Sequence, residues 1–451
     1  MTKNISTDQI TLKVIKSLKE GKRQDFQLIL DELHPYDIAL IYTNLPEKHH
    51  TRFLLFMTPN QIADLIQELE KEDQLELLTK LGIEKSGQIM DLMDNDDLAS
   101  LLQDLSPAKI KVLLSKMKKE ESTIVQNIMN YPPETAGRMM TNRFVWIPQN
   151  YTVREAVEKL KTFAEFSETI NYLYVINQNK NLVGVVSYRD IILASEHEQI
   201  SDIMYSRVIS VSADTDQEEV AQLIERYDFV SIPVVENNVL VGIVTVDDII
   251  DVVIQEATED IEKLSASGKD IDFDTKAFVA AYRRLPWLVL LLLIGLVSGT
   301  IISQFEETLS KVVSLAFFMP MIAGMTGNTG TQSLAVVVRG LITREADKKT
   351  VVRLIFRELK VGLMIGITCG ILIAIIAYIW QGNPVLGFVV GSSLIITLIF
   401  GTLAGTVVPL ILYRLKIDPA VASGPLITTL NDILSLLIYF GIATKFLAYL
   451  T

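Results

Sequence analysis

Apolar and polar positions divide the chain into two unlike parts. After residue 276, five apolar stretches follow one another, at about 285–302, 312–340, 354–380, 386–413 and 425–450. Each reaches the roughly 18 to 20 residues that an α-helix needs to cross the hydrocarbon core of a bilayer. We therefore predict a transmembrane domain of five helices over residues 276–451, preceded by soluble domains.

Residues from about 33 to 117 place an apolar side chain at every twelfth position. These positions are Leu33, Leu45, Met57, Leu69, Leu81, Met93, Leu105 and Met117. A polar residue and a proline follow some of them, as in Thr58-Pro59 and Ser106-Pro107, which is typical of a helix start. Units of one short helix and a turn cannot bury a core alone, so the period predicts a superhelical N domain of stacked short helices over residues 1–130.

Residues 138–253 contain a second duplication. The segment LVGVVSYRDII (182–192) is matched by LVGIVTVDDII (240–250), and a short apolar run precedes each of them. The pattern predicts helix, buried strand, turn, strand and helix in each half. This α/β pair resembles a tandem CBS domain, a family in which paired strands and helices form a cleft for adenine nucleotides.

The CBS resemblance implies a nucleotide site, which could hold ATP as a regulatory ligand. Ser187 and Asp190, like Thr245 and Asp248 in the second half, match the ribose-binding positions of the family. The other candidates for contact with the nucleotide are Tyr172, Arg189 for a phosphate and Phe229 for stacking on the base. The alternative is a CBS pair that binds no nucleotide and serves only in dimerisation.

The charge differs between the two parts. Residues 1–275 carry a net charge of −20 and residues 276–451 one of +7, which together give −13. An acidic soluble part repels phosphates, so nucleic acid is excluded as a partner, and cations are favoured. The single cysteine, Cys369, excludes a disulfide within the chain. The first ten residues lack an apolar segment, so we expect no cleaved signal peptide.

Basic residues predict the orientation of the membrane helices, because cytoplasmic loops are enriched in lysine and arginine. Lys276, Arg283 and Arg284 precede the first stretch, and a strongly basic connection separates the second from the third. The connection after the third stretch, QGNP (381–384), is uncharged. We therefore expect a multi-pass protein of the plasma (inner) membrane with a cytosolic N-terminal part and the C-terminus outside.

Asp432 is expected to be the one acidic residue deep inside an apolar stretch. A carboxylate at membrane depth is costly unless it faces water, a partner or a cation. Thr428, Thr429 and Asn431 lie within about one helical turn of it, and hard cations such as Mg²⁺ prefer such oxygen ligands. We therefore predict an ion pathway at Asp432. The alternative is an aspartate that caps a broken helix or bonds to a neighbouring span.

The second apolar stretch contains a polar segment, GNTGTQS (327–333). Gly324, Gly327 and Gly330 recur every three residues, so they lie near one helical face and allow close helix approach. The polar side chains of this segment should face a pore or a partner helix, where they would only hold the bundle together. We predict that the second and fifth stretches line the pore, with Pro320 and Pro425 breaking their helices.

An acidic helix is predicted to connect the soluble and membrane parts, at about residues 247–264 within a connecting segment of 247–275. It carries seven acidic residues and a single Lys263. Acids four residues apart repel on a helix, so the segment suggests a switch in which cations clamp acidic faces together. A solvated charged face is the alternative. Opposing faces could come from Asp91, Asp94, Asp96 and Asp97 in the N domain, and from acids of the second CBS unit.

These features together resemble the MgtE magnesium channels and transporters over essentially the whole chain. The segments PLITTLND (425–432) and GNTGTQS (327–333) carry the likeness most specifically. The resemblance implies a homodimer embedded in membrane lipid, with a pore on the two-fold axis, where Asp432 is the magnesium ligand. Further implied magnesium ligands are Asp418, Asp216, Glu218, Asp228, Asp248, Asp251, Glu256, Glu259 and Asp260. Asp91 and Asp94 are additional candidates that no motif places.

The sequence therefore predicts passive uptake of Mg²⁺, closed by cytosolic Mg²⁺ that binds between the N domain, the CBS pair and the connecting helix. The chain contains no Gly-x-x-x-x-Gly-Lys-Ser/Thr phosphate loop, so we expect neither an ATPase nor another enzyme. Two alternatives stay open. One is an ion-coupled transporter of Co²⁺, Mn²⁺ or Ni²⁺, and the other is a membrane nucleotide sensor without transport activity.

Overall fold

The computed structural model describes residues 7–103, 105–163, 167, 169–267, 271, 275–343 and 347–450. Two compact units make up the chain, Met1–Ile254 and Gln255–Thr451. The first unit contains short helices followed by two small sheets. The second contains long apolar helices.

Short helices on a twelve-residue period form the beginning of the first unit. They are α1 (Thr7–Glu20), α2 (Arg23–Leu30), α3 (Pro35–Asn44), a 3-10 turn (Glu47–His49), α4 (His50–Phe56), α5 (Pro59–Gln67), α6 (Lys71–Leu81), α7 (Ile83–Met90), α8 (Asn95–Leu102), α9 (Pro107–Leu114) and α10 (Lys119–Asn130). From residue 35 to residue 119, a helical segment begins every twelve residues. Their apolar faces share one continuous core. The predicted helical N domain is confirmed.

The start of α5 follows the expected chemistry. The Thr58 hydroxyl accepts a hydrogen bond from the Gln61 amide (3.3 Å), and the Gln61 side chain accepts one from the Thr58 amide (3.0 Å). This capping box, with Pro59 in the first turn, fixes the start of α5. Ser106 occupies the same position before Pro107, without a side-chain hydrogen bond to α9.

Two three-stranded sheets follow α11 (Ala136–Met139). The elements are β1 (Phe144–Pro148), α12 (Val153–Phe163), β2 (Thr169–Ile176), β3 (Leu182–Ser187), α13 (Tyr188–Leu193), α14 (Ile200–Ile203), β4 (Val211–Ser212), α15 (Gln217–Tyr227), β5 (Ser231–Glu236) and β6 (Val239–Thr245). The order is β1-β2-β3 in one sheet and β4-β5-β6 in the other. Each predicted hairpin is present, and each gains a parallel first strand, β1 or β4, that the sequence pattern did not predict. Tyr174 Oη and Ser231 Oγ, 2.8 Å apart, join the two repeats in a buried hydrogen bond.

The connecting helix, α16, runs over Val246–Ser265, within one residue of the prediction at both ends. The long helices of the second unit are α17 (Ala277–Gln304), α19 (Leu315–Thr343), α20 (Lys348–Gln381), α21 (Pro384–Arg414) and α22 (Gly424–Lys445). Short helices α18 (Glu306–Lys311) and α23 (Leu447–Leu450) accompany them, with a 3-10 turn at Pro419–Val421.

Among the residues that the structure describes, four helices are long and apolar enough to cross a membrane, namely α17, α20, α21 and α22. The predicted second span is α19. It has sufficient length with 29 residues, but its central segment of Asn, Thr, Gln and Ser side chains keeps it outside this set of four. α19 packs against α21 and α22 within the helical bundle.

The prediction that two prolines break their helices was wrong. Pro320 lies inside α19, which is continuous from residue 315 to residue 343. Pro425 lies in the first turn of α22 and therefore starts this helix. Proline is tolerated near a helix start, because the amide that it lacks would have no partner in the first turn.

Candidate functional site

Asp432 lies in the middle of α22 and is half-buried. No side-chain hydrogen bond or ion pair of its carboxylate is found within the described ranges, although its backbone carbonyl accepts a bond from Ser435 Oγ (2.9 Å). A membrane-depth carboxylate without a partner in its own chain must face water, a cation or another subunit. This placement supports the predicted ion pathway against the alternative of a structural cap.

The seam between α19 and α22 fixes where Asp432 stands. A Cβ atom added to Gly327 would come within 2.9 Å of Thr428 Cγ2, and one added to Gly424 within 3.5 Å of Thr331 Cγ2. The two helices are therefore antiparallel and in close approach. Asp432 follows Thr428 by one helical turn, which brings it to the level of Gly324 on α19.

The polar segment of α19 divides between two faces. Asn328 and Gln332 are exposed on the chain's own surface, whereas Thr329 and Ser333 are buried. Thr331 is half-buried, and its hydroxyl donates to the Asn328 carbonyl (2.9 Å). One face of this segment therefore packs within the bundle, and the other is exposed on the described chain. Gly324 also lies on the open side, with no atom within 4 Å of an added Cβ.

Asn431 is fully buried beside Asp432 and binds helices together. Its Nδ2 donates to the backbone carbonyl of Thr326 on α19 (3.3 Å). A Cβ atom added to Gly330 would come within 2.0 Å of this Nδ2, so the amide fills the space left by the glycine. Sequence analysis grouped Asn431 with the oxygen ligands around Asp432, but the structure gives it this contact with α19.

Glu358 is a buried acid at the edge of the third apolar stretch that the sequence did not single out. It lies on α20, and only 5% of its surface is exposed. Its carboxylate accepts a hydrogen bond from Ser333 Oγ of α19 (3.1 Å) and two from Arg357, at Nε (3.0 Å) and Nη2 (2.8 Å). Sequence analysis missed this residue because neighbouring basic residues placed it in the charged edge of the third stretch. Its bonds to Ser333 and Arg357 indicate a structural link between α19 and α20.

The last turn of α16 brings several predicted magnesium ligands to one place. Lys263 Nζ lies 2.5 Å from Asp418 Oδ2 and 2.9 Å from Glu259 Oε1. Burial lowers the pKa of Lys263, but the hydrogen bonds to Asp418 and Glu259 outweigh it and raise the pKa above its ordinary value. Burial also raises the pKa of Asp260, and the nearby Asp418 carboxylate raises it further.

The first turns of α16 lie near acids of the N domain. Desolvation raises the pKa of Asp97, and the carboxylates of Asp94, Asp251 and Asp247 add to this effect because they repel its negative charge. Asp94 is already bonded to Arg143 Nη1 (2.6 Å) and to Gln67 Nε2 (2.8 Å). Asp97 therefore lies within electrostatic reach of Asp247 and Asp251 on the connecting helix.

Several other predicted ligands have local structural roles. Asp91 accepts a bond from the Lys118 amide (2.8 Å), and Asp216 caps α15 through the Glu218 amide (2.9 Å). Asp228 ends α15 in a left-handed conformation (φ 53°), and Asp248 accepts a bond from Thr245 Oγ1 (2.6 Å). Within the described residues, no three His, Cys, Asp or Glu side chains converge closely enough to hold a metal ion. The predicted ligands, Glu256 included, thus remain predictions.

The nucleotide candidates lie in two places. Tyr172 on β2 pairs in register with Ser187 at the end of β3. The Ser187 hydroxyl donates to Asp190 Oδ2 (2.6 Å) in a capping box that starts α13, and Arg189 on this helix is exposed. Phe229 precedes β5 and stacks on Tyr227, with ring centroids 5.4 Å apart. Thr245 and Asp248 repeat the Ser187–Asp190 bond, so both halves preserve the motif in a helix cap.

The fold defines a multi-pass membrane protein with an acidic soluble part and a half-buried carboxylate, Asp432, in the middle of one membrane-length helix. The MgtE domain, described as a divalent cation transporter, matches residues 319–442. The MgtE intracellular N domain matches residues 33–134, and CBS domains match 136–197 and 200–255.

Known proteins are similar over the whole length. A magnesium transporter MgtE of Bacillus subtilis is 64% identical over 448 residues, 99% of each chain. That of Thermus thermophilus is 37% identical, over 97% of this chain and 98% of its own.

A crystal structure of the soluble part of a magnesium transporter covers 56% of this chain and 100% of its own, with 36% identity and a TM-score of 0.54. The cytosolic domain of the Mg²⁺ channel MgtE in complex with ATP covers 54% of this chain and 99% of its own, with 34% identity and a TM-score of 0.51. The chain belongs to the MgtE family.

Proposed function

We propose that this protein carries Mg²⁺ across the plasma membrane into the cell, and that Asp432 is the ligand in the pore. The observation that carries the proposal is a carboxylate in the middle of a membrane-length helix, without a partner in the described part of its own chain, at the level of the exposed Gly324 on α19. Relatives that are named magnesium transporters support the choice of ion. Mg²⁺ keeps several waters and needs only one or two carboxylates, which this donor set supplies.

The pore is proposed to form between two copies of the chain. A two-fold axis beside the α19–α22 seam brings two Asp432 carboxylates to one point and covers the open face of α19. The basic residues favour five spans, with the N domain (1–130), the CBS pair (138–253) and the connecting segment (247–275) in the cytosol and the C-terminus outside. Mass measurement of the detergent-solubilised protein should give two chains per particle, and a monomer would contradict the shared pore.

Cytosolic Mg²⁺ is proposed to close the pore by binding between acidic groups. Asp94, Asp97 and Asp251 lie near one another in the first unit, and Glu259, Asp260 and Asp418 in the second. Without Mg²⁺ these carboxylates repel one another, and with Mg²⁺ they are held together. A ligand that prefers the closed arrangement shifts the population towards it.

Liposome flux tests transport and closure together. Purified protein should admit Mg²⁺ into liposomes that carry a magnesium indicator, at a rate set by the membrane potential, since a divalent ion gains about 4–5 kcal/mol per 100 mV. Liposomes preloaded with millimolar Mg²⁺ on the cytosolic side should show slower uptake of a traced isotope. Absence of uptake would contradict transport. An uptake rate that is the same with and without internal Mg²⁺ would contradict only the closure. Co²⁺, Mn²⁺ and Ni²⁺ in the same assay test the alternative substrates.

The CBS pair is proposed to bind ATP as a regulator, without hydrolysis, so the protein has no enzymatic role in this proposal. The cytosolic MgtE domain that is similar to the first unit was solved with ATP. Saturable binding of a fluorescent ATP analogue is expected, and Arg189→Ala should weaken it about tenfold, since a charged hydrogen bond to phosphate contributes roughly 1.5–3 kcal/mol. Arg207→Ala, at an exposed arginine elsewhere in the CBS pair, is the control. No binding would favour the pair as a dimerisation module alone.

A further inference from the structure

The last turn of α16 holds a lysine between two of the predicted magnesium ligands. Lys263 Nζ bridges Glu259 of the connecting helix (2.9 Å) and Asp418, which precedes the 3-10 turn between α21 and α22 (2.5 Å). Its side chain is 27% exposed, and those of Glu259 and Asp418 are 18% and 36% exposed. A positive charge that belongs to the chain itself thus stands where the proposed regulation needs a divalent cation.

Surrounding contacts hold this arrangement in place. The Ala420 amide donates to Asp418 Oδ1 (2.8 Å), which leaves Oδ2 directed at Lys263. Glu259 is four residues before Lys263 on α16, the favourable order for an ion pair on a helix. Leu264 packs on the apolar cluster around Ala420 and Ile427. The end of the connecting helix is therefore fixed by an apolar contact and by one ammonium group.

We propose that Lys263 is a tethered competitor of Mg²⁺ at the Glu259–Asp418 pair, so that Mg²⁺ binds these carboxylates only after the ammonium has left. The proposal rests on the proposed closure by cytosolic Mg²⁺. Two cations cannot occupy the same pair of oxygens, because they repel each other at this distance. A competitor on the same chain has a high effective concentration and raises the Mg²⁺ concentration that is needed for binding.

Two consequences follow from this competition. At low Mg²⁺, the ammonium neutralises part of the repulsion between Glu259 and Asp418 and keeps the end of α16 partly held. At high Mg²⁺, the divalent ion replaces it and binds the carboxylates more strongly. Lys263 thus sets the threshold of the switch and prevents complete release of the helix end.

Hydrogen exchange of the full-length protein in lipid nanodiscs measures both consequences. Amides of residues 259–267 are followed in chelated buffer and during titration with Mg²⁺ alone. For Lys263→Gln we expect less protection without Mg²⁺, and a midpoint at a roughly fivefold lower Mg²⁺ concentration, the effect of losing one partly exposed ion pair. Lys263→Arg keeps the cation and should stay close to wild type. Lys311→Gln, which removes an exposed i,i+4 pair with Glu307 (2.6 Å), is the matched control.

A midpoint in Lys263→Gln equal to that of wild type and Lys311→Gln would overturn the competition, even with reduced protection in chelated buffer. A lower Mg²⁺ midpoint in Lys263→Gln, together with a wild-type midpoint in Lys263→Arg, would support the role of the positive charge. If wild-type exchange did not respond to Mg²⁺, the proposed closure itself would fail, and Mg²⁺ uptake into liposomes would still report on transport independently.

Discussion

Asp432→Asn should reduce Mg²⁺ flux in liposomes by about a hundredfold or more. The substitution keeps the size of the side chain and removes its charge. Two unit charges of opposite sign about 4 Å apart attract each other by roughly 4 kcal/mol at an effective dielectric constant near 20. We expect the attraction between Asp432 and a partly hydrated Mg²⁺ to keep a large part of this energy. Each 1.4 kcal/mol corresponds to a factor of ten, so the loss is expected to exceed that of any other single carboxylate.

Glu306→Gln provides the matched control for Asp432→Asn, since Glu306 is exposed at the start of α18. Flux through this variant should stay near wild type, and both variants should purify as the same oligomer. Normal flux through Asp432→Asn would remove Asp432 from the ion route and with it the proposed pore. Flux that is lost together with the oligomer would point to a structural role, which Asp432→Glu would test by restoring the charge.

The sequence predicts best those features that depend on periodic or local signals. The twelve-residue spacing of apolar positions coincides with the helix starts from Pro35 to Lys119 because each unit contributes its own buried face to the common core. The ends of α16 agree within one residue because its acidic run begins directly after β6. Both signals are contained in neighbouring residues and need no knowledge of distant contacts.

The sequence predicts less well those features that depend on contacts between distant segments. In the sequence, Glu358 belongs to a charged helix end. In the structure it is buried and accepts a hydrogen bond from the Ser333 hydroxyl of α19, a contact that the local sequence does not predict. In the sequence, Lys263 is a single basic residue in an acidic helix. Its ion pair with Asp418, 155 residues later in the chain, becomes visible only in the structure. The positions of Asp432 and Asn431 differ by one residue, yet one lies at the open seam and the other is fully buried.

Gly405→Ala should destabilise the membrane unit more than any other small substitution on α21. A Cβ atom at this position would lie 2.1 Å from the carbonyl oxygen of Gly330 and 2.9 Å from its carbonyl carbon. Both are backbone atoms of α19 and cannot rotate away, so α19 and α21 must move apart. Overpacking of this kind costs about 1–3 kcal/mol or more, which corresponds to a drop in the thermal midpoint of roughly 5–10 °C.

Gly299→Ala on α17 is the control for Gly405→Ala, because an added Cβ atom there meets no atom within 4 Å. Alanine favours a helix over glycine by up to about 1 kcal/mol, so this variant should be as stable as wild type or slightly more stable. The midpoint is measured as the fraction of protein that stays monodisperse after heating in detergent. Equal midpoints for the two variants would mean that α19 and α21 do not approach as closely as Gly330 and Gly405 indicate.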